Sequence, residues 1–136
     1  MRRIEKEFTV AFDEVDASGW FYGAVYFKYV NELLFSLLNE IEYPMPLMLK
    51  RGFSIPPVKY EIEFYKPAKY GDVIIGEMEV VKVGNSSIHL EFVFKDKERD
   101  KVYAKGYTVR VFTDSKKEKS VNIPEDIRAR LLALHL

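Results

Sequence analysis

Cysteine is absent from the 136 residues, so neither a disulfide framework nor thiolate chemistry is available. Histidine is scarce. His89 and His135 lie far apart in the sequence, and without cysteine such a pair does not describe a zinc site. No charge of one sign dominates: 21 basic residues balance 21 acidic ones, whereas a nucleic-acid face needs a clustered basic excess. No apolar run reaches the ~18 residues that a membrane span requires. The opening Met-Arg-Arg-Ile-Glu-Lys-Glu lacks the apolar core of a secretory signal. Nucleophile elbows, Walker loops and Rossmann glycine patterns are missing, as are repeats and low-complexity segments. These absences point to a soluble cytoplasmic protein with no cofactor and no metal, and with neither nucleic acid nor membrane as partner.

What is present reads as one domain, 1–136, long enough to bury roughly two thirds of its unfolded surface. Residues 4–13 alternate, with Phe8, Val10 and Phe12 on one face, the period of a half-buried strand. Over 23–41 the period lengthens. Phe27, Val30, Leu34, Leu37 and Ile41, widened by Leu33 and Leu38, predict a helix of about five turns that is wrapped rather than laid on a surface. Pro44, Pro46, Gly52, Pro56 and Pro57 break 43–57, leaving room for one helical turn near 46–51. Strands are expected over 58–65, 73–83 (broken near Gly76), 87–95 and 102–113, with a tight turn at Gly84-Asn85-Ser86. Pro124 at a first helical position opens a last helix to about Leu134. Strands that follow a single buried helix argue an α+β design, an antiparallel sheet around that helix. Tyr103, Tyr107, Val109 and Val111, with Val93 beside them, predict an apolar outer face that a partner or the chain ends should cover.

The stretch Phe-Asp-Glu-Val-Asp-Ala-Ser-Gly-Trp-Phe-Tyr-Gly-Ala-Val-Tyr, residues 12–26, joins the first strand to the long helix. Helix-opening amides have no partner within the helix and carry partial positive charge. They can polarise a carbonyl while a nearby carboxylate acts as base or nucleophile. Asp16 is the candidate carboxylate, and a turn aspartate that merely accepts backbone amides is the plainer account of it. Asp13 or Glu14, facing it, would raise its proton affinity. They sit on opposite strand faces, so at most one does so closely.

That stretch resembles the signature of hotdog-fold acyl-CoA thioesterases of the 4-hydroxybenzoyl-CoA thioesterase type. Asp16 matches the catalytic aspartate, Gly19 the turn glycine and Tyr26 the first-turn tyrosine of the helix. Tyr-Glu-Ile-Glu-Phe-Tyr-Lys-Pro-Ala-Lys-Tyr-Gly-Asp, Gly84-Asn85-Ser86-Ser87 and Val121-Asn122-Ile123-Pro124 look like later pieces of the same pattern, in the same order. The resemblance implies a hotdog fold and hydrolysis of an acyl-CoA, or an acyl-carrier-protein thioester, to free acid. It also implies a homodimer or dimer-of-dimers tetramer with the active site between chains.

Asp16 is then nucleophile or general base, and Gly23 offers the carbonyl-polarising N–H. Gly23 departs from the pattern, where histidine, asparagine or tyrosine is common; its other role is to let the chain turn. Tyr22 lines the reacting end or is a packed aromatic, and Trp20 and Phe21 are core or interface. Val58 and Lys59 approach the aspartate across the dimer. Lys66, Lys69, Ser86 and Ser87 are candidates for the CoA tail, or ordinary turn residues. The apolar segment 43–57 is a lid over the acyl pocket or a loop tucked under the sheet. A non-catalytic acyl- or CoA-binding module on the same fold is the alternative function. Acyl-thioester hydration ranks below both, because neither histidine sits where its Asp/His pair needs one.

Overall fold

The computed structural model describes residues 3–135. The alternating segments form a five-stranded antiparallel sheet built from β1 (Ile4–Thr9), β3 (Pro57–Phe64), β4 (Val73–Val83), β5 (Ser87–Asp96) and β6 (Val102–Val111), in the order β1-β4-β5-β6-β3. A small second sheet joins β2 (Phe53–Ser54), β7 (Thr113–Asp114) and β8 (Lys119–Ser120) in the order β2-β7-β8. The long helix α1 spans Val25–Glu40, a short helix α2 spans Met45–Lys50, and α3 spans Glu125–His135 and lies against β4.

Helix α1 presents Tyr26, Tyr29, Val30, Leu33, Leu34, Leu37 and Leu38 to the sheet, all buried. Ile88, Leu90, Phe92 and Phe94 of β5 belong to the same core, none more than 3% exposed, and Phe94 packs on Tyr26 and Tyr29 of the helix. Phe27, expected in the apolar stripe, lies one position off it. It packs edge-on against Tyr60, ring centroids 4.8 Å apart, and stays 42% exposed.

Three further differences from expectation have local causes. Strand β1 stops at Thr9 and the chain turns through a single 3-10 turn, Phe12–Glu14. Phe12 therefore leaves the core-facing row and rests on Tyr70 outside, 78% exposed. Strand β4 is continuous through Gly76, and its irregularity falls between Val80 and Lys82. Glycine is needed at 76 because a Cβ there would meet Phe8 at 2.9 Å, Phe94 at 3.0 Å and Leu33 at 3.1 Å. The register of β5 against β6 shifts between Phe94 and Lys95. That bulge turns Tyr103 into the core, where it is 6% exposed.

The predicted apolar outer face loses Tyr103 to the bulge and is interrupted elsewhere by charge. Tyr107 pairs with Glu61 on one side and Glu91 on the other, and Val93 sits between Glu77 and Lys105. Charged residues alternate with apolar ones along these rows, so the predicted apolar residues are not contiguous among the described residues. Glu77, 3% exposed, is held by Lys95 at 3.1 Å, with Arg3 and Arg99 near it.

Candidate active site

The segment between the 3-10 turn and α1 is a miniature hairpin. Val15 bridges Phe21, the Asp16 amide donates to the Trp20 carbonyl at 2.8 Å, and the Tyr22 amide donates to the Glu14 carbonyl at 2.9 Å. Gly19 closes it with φ +87°, a conformation glycine adopts without a Cβ penalty. The connection after β3 supports the hairpin from one side: the Phe21 amide donates to the Ala68 carbonyl at 2.8 Å, and Trp20 bridges Lys69.

This hairpin decides how Asp16 is presented. Its Oδ1 accepts from the Ser18 hydroxyl at 2.5 Å, the Ser18 amide at 2.9 Å and the Trp20 amide at 3.3 Å. Among the described residues nothing donates to Oδ2. The Ser18 hydroxyl is the main reason the carboxyl is held below its ordinary value of 3.8, and the amides add to it. Neither Asp13 nor Glu14 raises it. Glu14 is turned inward, 7% exposed, and accepts from the Tyr29 hydroxyl at 2.7 Å and the Ala11 amide at 2.9 Å. Asp16 is thus an ionised, solvent-facing carboxylate with one oxygen anchored and the other open.

Gly23 stands at the opening of α1. The first amides of the helix are taken, Val25 by the Tyr22 carbonyl, Tyr26 by Gly23 and Phe27 by Ala24. The Gly23 amide has no acceptor among the described residues. Its φ is not left-handed, so the requirement for glycine here is space rather than backbone freedom. A Cβ would lie 3.1 Å from the Phe64 ring. Tyr22, 60% exposed, lines a cleft of about 280 Å³ with Glu14, Val25 and Lys28. Phe21, by contrast, is core, packed on Tyr26 at 4.7 Å.

The remaining candidates divide by position. Lys66 and Lys69 belong to the connection beside the hairpin, at the same end of the sheet as Asp16. Val58, Lys59, Ser86 and Ser87 lie at the other end. Pro57 pairs with Arg110 and Ser87 with Val111, whereas Phe64 pairs with Ala104. Six residue steps of strand lead from Val58 to Phe64, about 20 Å at ~3.3 Å per step. The Lys59 ammonium sits over the Tyr107 ring at 5.4 Å, on the outer face of the sheet. One chain therefore assembles Asp16, Tyr22 and Gly23 and leaves the other set remote.

Sequence reading passed over Tyr29 and Arg110. Tyr29 pairs with the buried Glu14 behind the hairpin, and its signal was a hydroxyl on the apolar face of the helix. Arg110 is 5% exposed, and its signal was a charged residue on the row of β6 that faces inward with Thr108.

A family model described as the thioesterase-like superfamily matches residues 10–131, and the chain belongs to that superfamily. The class so defined is the thioesterase-like superfamily, on an α+β hotdog fold. Among solved structures, a hypothetical protein from Thermus thermophilus is similar over 99% of both chains, at 23% identity and a TM-score of 0.91. A 1,4-dihydroxy-2-naphthoyl-CoA thioesterase from Synechocystis is similar over 99% of both chains, at 18% identity and a TM-score of 0.89. A DHNA-CoA thioesterase from Staphylococcus aureus aligns over 98% of this chain and 91% of its own, at 14% identity and a TM-score of 0.91. Likeness at these identities shows a shared fold. A search of curated protein sequences finds no match. No helix among the described residues is long and apolar enough to cross a membrane.

Proposed function

We propose that Asp16 carries out acyl-CoA hydrolysis at a site shared between two copies of the chain. The observation that carries this reading is the presentation of Asp16: an ionised carboxylate with one free oxygen, on a hairpin whose last residues lead to an unpartnered helix-opening amide at Gly23. A thioester carbonyl polarised by that amide meets the two requirements of acyl transfer, a nucleophile or base and a fixed donor for the developing oxyanion. In one route Oδ2 attacks the carbonyl carbon, CoA leaves as thiolate, and water then hydrolyses the acyl–Asp16 anhydride. In the other, Oδ2 takes a proton from the water that attacks. Trapping an acyl–Asp16 adduct, or label entering Asp16 from labelled water when water attacks the aspartyl side of the anhydride, identifies the first route, since the second forms no bond to Asp16.

Two features favour a second copy. Strand β3 is an eight-residue sheet edge, and such an edge invites pairing. Around it and the hairpin stand Trp20, Tyr22, Phe27, Val58, Phe64 and Tyr65, each more than 40% exposed. Antiparallel two-fold pairing of β3 edges sets the Pro57 end of one chain against the Phe64 end of the other. Val58 and Lys59, with Ser86 and Ser87 behind them, then approach the partner's Asp16, while Lys66 and Lys69 flank the entrance for CoA phosphates. Sedimentation at micromolar concentration is expected to give a dimer or a dimer of dimers; a stable monomer removes the shared site.

The pH profile tests Asp16 separately. Its depressed pKa keeps it ionised as pH falls, so the acid limb of kcat/KM is expected below pH 3.8. Ser18→Ala removes the largest cause of that depression and should move the limb up toward 3.8. An unmoved limb would mean that another group titrates.

The test of the function itself is thiol release across a panel of acyl-CoAs. A binding module is the second reading, favoured by the absence of any side chain at Gly23. CoA retention with no thioester hydrolysed would select it.

A further inference from the structure

Of the three carboxylates between Phe12 and Tyr26, only Glu14 is buried, while Asp13 and Asp16 stay in water. Taking a carboxylate out of water is costly unless hydrogen bonds and an opposite charge offset it. The cation near it, Lys28, stands 3.6 Å away with a side chain 66% exposed, and an ion pair open to water returns little. Net stability is therefore a poor account of why a carboxylate sits there.

What Glu14 does supply is three attachments at one point. Its Oε1 accepts from the Ala11 amide, just past the end of β1, and from the Tyr29 hydroxyl on the inner face of α1. Its main-chain carbonyl accepts from the Tyr22 amide, closing the base of the hairpin that carries Asp16. Tyr22 immediately precedes Gly23. One residue thus joins the strand end, the hairpin and the helix whose opening amide is at Gly23. Tyr29 is itself fixed, 2% exposed and stacked on Phe8 at 4.0 Å. Burial, and then the Glu14 carboxylate, raise its hydroxyl above the ordinary value of 10.0, so it keeps its proton and donates.

The other anchors of the hairpin act elsewhere. Phe21 packs on Tyr26 and Tyr29, and its amide donates to Ala68, but Phe21 lies on the strand that leads into the helix. On the strand that carries Asp16, Val15 offers apolar contact with the core, which has no direction. Glu14 offers a directed hydrogen bond to α1.

We infer that Glu14, through Tyr29, is a positioning residue that sets the separation and angle between the open Oδ2 of Asp16 and the Gly23 amide without touching the reacting atoms. This rests on the proposed hydrolysis by Asp16. Displacing one member of such a pair by about 1 Å costs up to ~100-fold in rate. Contacts to the CoA are left in place, so the loss falls on kcat rather than KM.

The test measures thiol release and thermal unfolding for wild type, Tyr29→Phe, Glu14→Gln and Glu14→Ala, on the acyl-CoA that wild type turns over fastest, with rates expressed per folded molecule. Tyr29→Phe removes the donor and keeps the stacked ring. Its kcat is expected to fall ~10-fold or more, with KM within ~2-fold of wild type. Glu14→Ala should lose at least as much. Glu14→Gln keeps an acceptor oxygen for Tyr29 and Ala11 and should hold kcat within ~3-fold of wild type, a rescue that a general base at this position would not allow. An unchanged kcat in Tyr29→Phe overturns the inference, even if neither Glu14 variant folds. A loss confined to KM overturns it as well, as does Glu14→Gln being as slow as Glu14→Ala. If Asp16→Asn abolishes hydrolysis and Tyr29→Phe leaves it untouched, the positioning role fails alone. If wild type hydrolyses no thioester, or Asp16→Asn matches it, both readings fall.

Discussion

Gly106→Ala is expected to lower the melting temperature by about 10 °C and to free β3 from the sheet. Gly106 lies midway along β6, paired with Ile62 of β3 and Phe92 of β5. A Cβ built there would stand 1.7 Å from the Glu61 carbonyl oxygen and 2.8 Å from its carbon. Those atoms are backbone, so no rotamer change relieves the clash, and the two strands must separate or twist. The cost is placed at about 3 kcal/mol, the upper part of the usual range for inserting one methyl group into a full site. Thermal unfolding followed by circular dichroism reads it directly.

A useful control is Gly76→Ala, where the contacts are ring and methyl ends of Phe8, Phe94 and Leu33. Those groups can shift, and the loss should be nearer ~1 kcal/mol. Equal and small effects at the two glycines would show that β3 is not held as tightly as its pairing implies. Because β3 carries Val58, Tyr60 and Phe64, a genuine Gly106→Ala defect should also reduce thiol release and self-association together.

The large elements were legible because each has its own period. The four-residue rhythm of Val30, Leu34 and Leu38 stands out against the two-residue rhythm of Ile88, Leu90, Phe92 and Phe94, and no tertiary information is needed to tell them apart. What was not legible depended on neighbours in space. Tyr103 has the parity of an outer-face residue, and only a bulge opposite Phe94 and Lys95 turns it inward. Phe12 continues the alternation of β1, but the backbone has already left the strand. Gly76 looks like a strand breaker until Phe8, Phe94 and Leu33 are seen converging on it.

The site divides in the same way. Asp16 and Gly23 became candidates only through the pattern of the whole 12–26 stretch, since an aspartate in a turn has the same local chemistry whether it caps amides or attacks a carbonyl. Here Oδ1 accepts from Ser18 and Trp20, and Oδ2 has no donor among the described residues. Arg110 was hidden by the apolar residues on either side of it, Val109 and Val111. That no carboxylate among the described residues pairs with it is a property of the packed molecule and of no short window of sequence.

The second large effect is that of Asp16→Asn. Asparagine keeps a carbonyl oxygen where Oδ1 accepts from the Ser18 and Trp20 amides, so the hairpin should retain its form. Asp16 is fully exposed, which leaves little folding energy at stake. Only the negative charge and the basic oxygen are removed, and loss of a key base or nucleophile costs ~100-fold or more. The measurement is thiol release under saturating and limiting acyl-CoA, with wild type and variant matched in melting temperature and sedimentation. The account predicts hydrolysis by the wild type and a drop of at least ~100-fold in the variant, with kcat and kcat/KM falling together, as for an interaction made only in the transition state. Rates within ~3-fold of each other would contradict it, and would take the catalytic role away from Asp16.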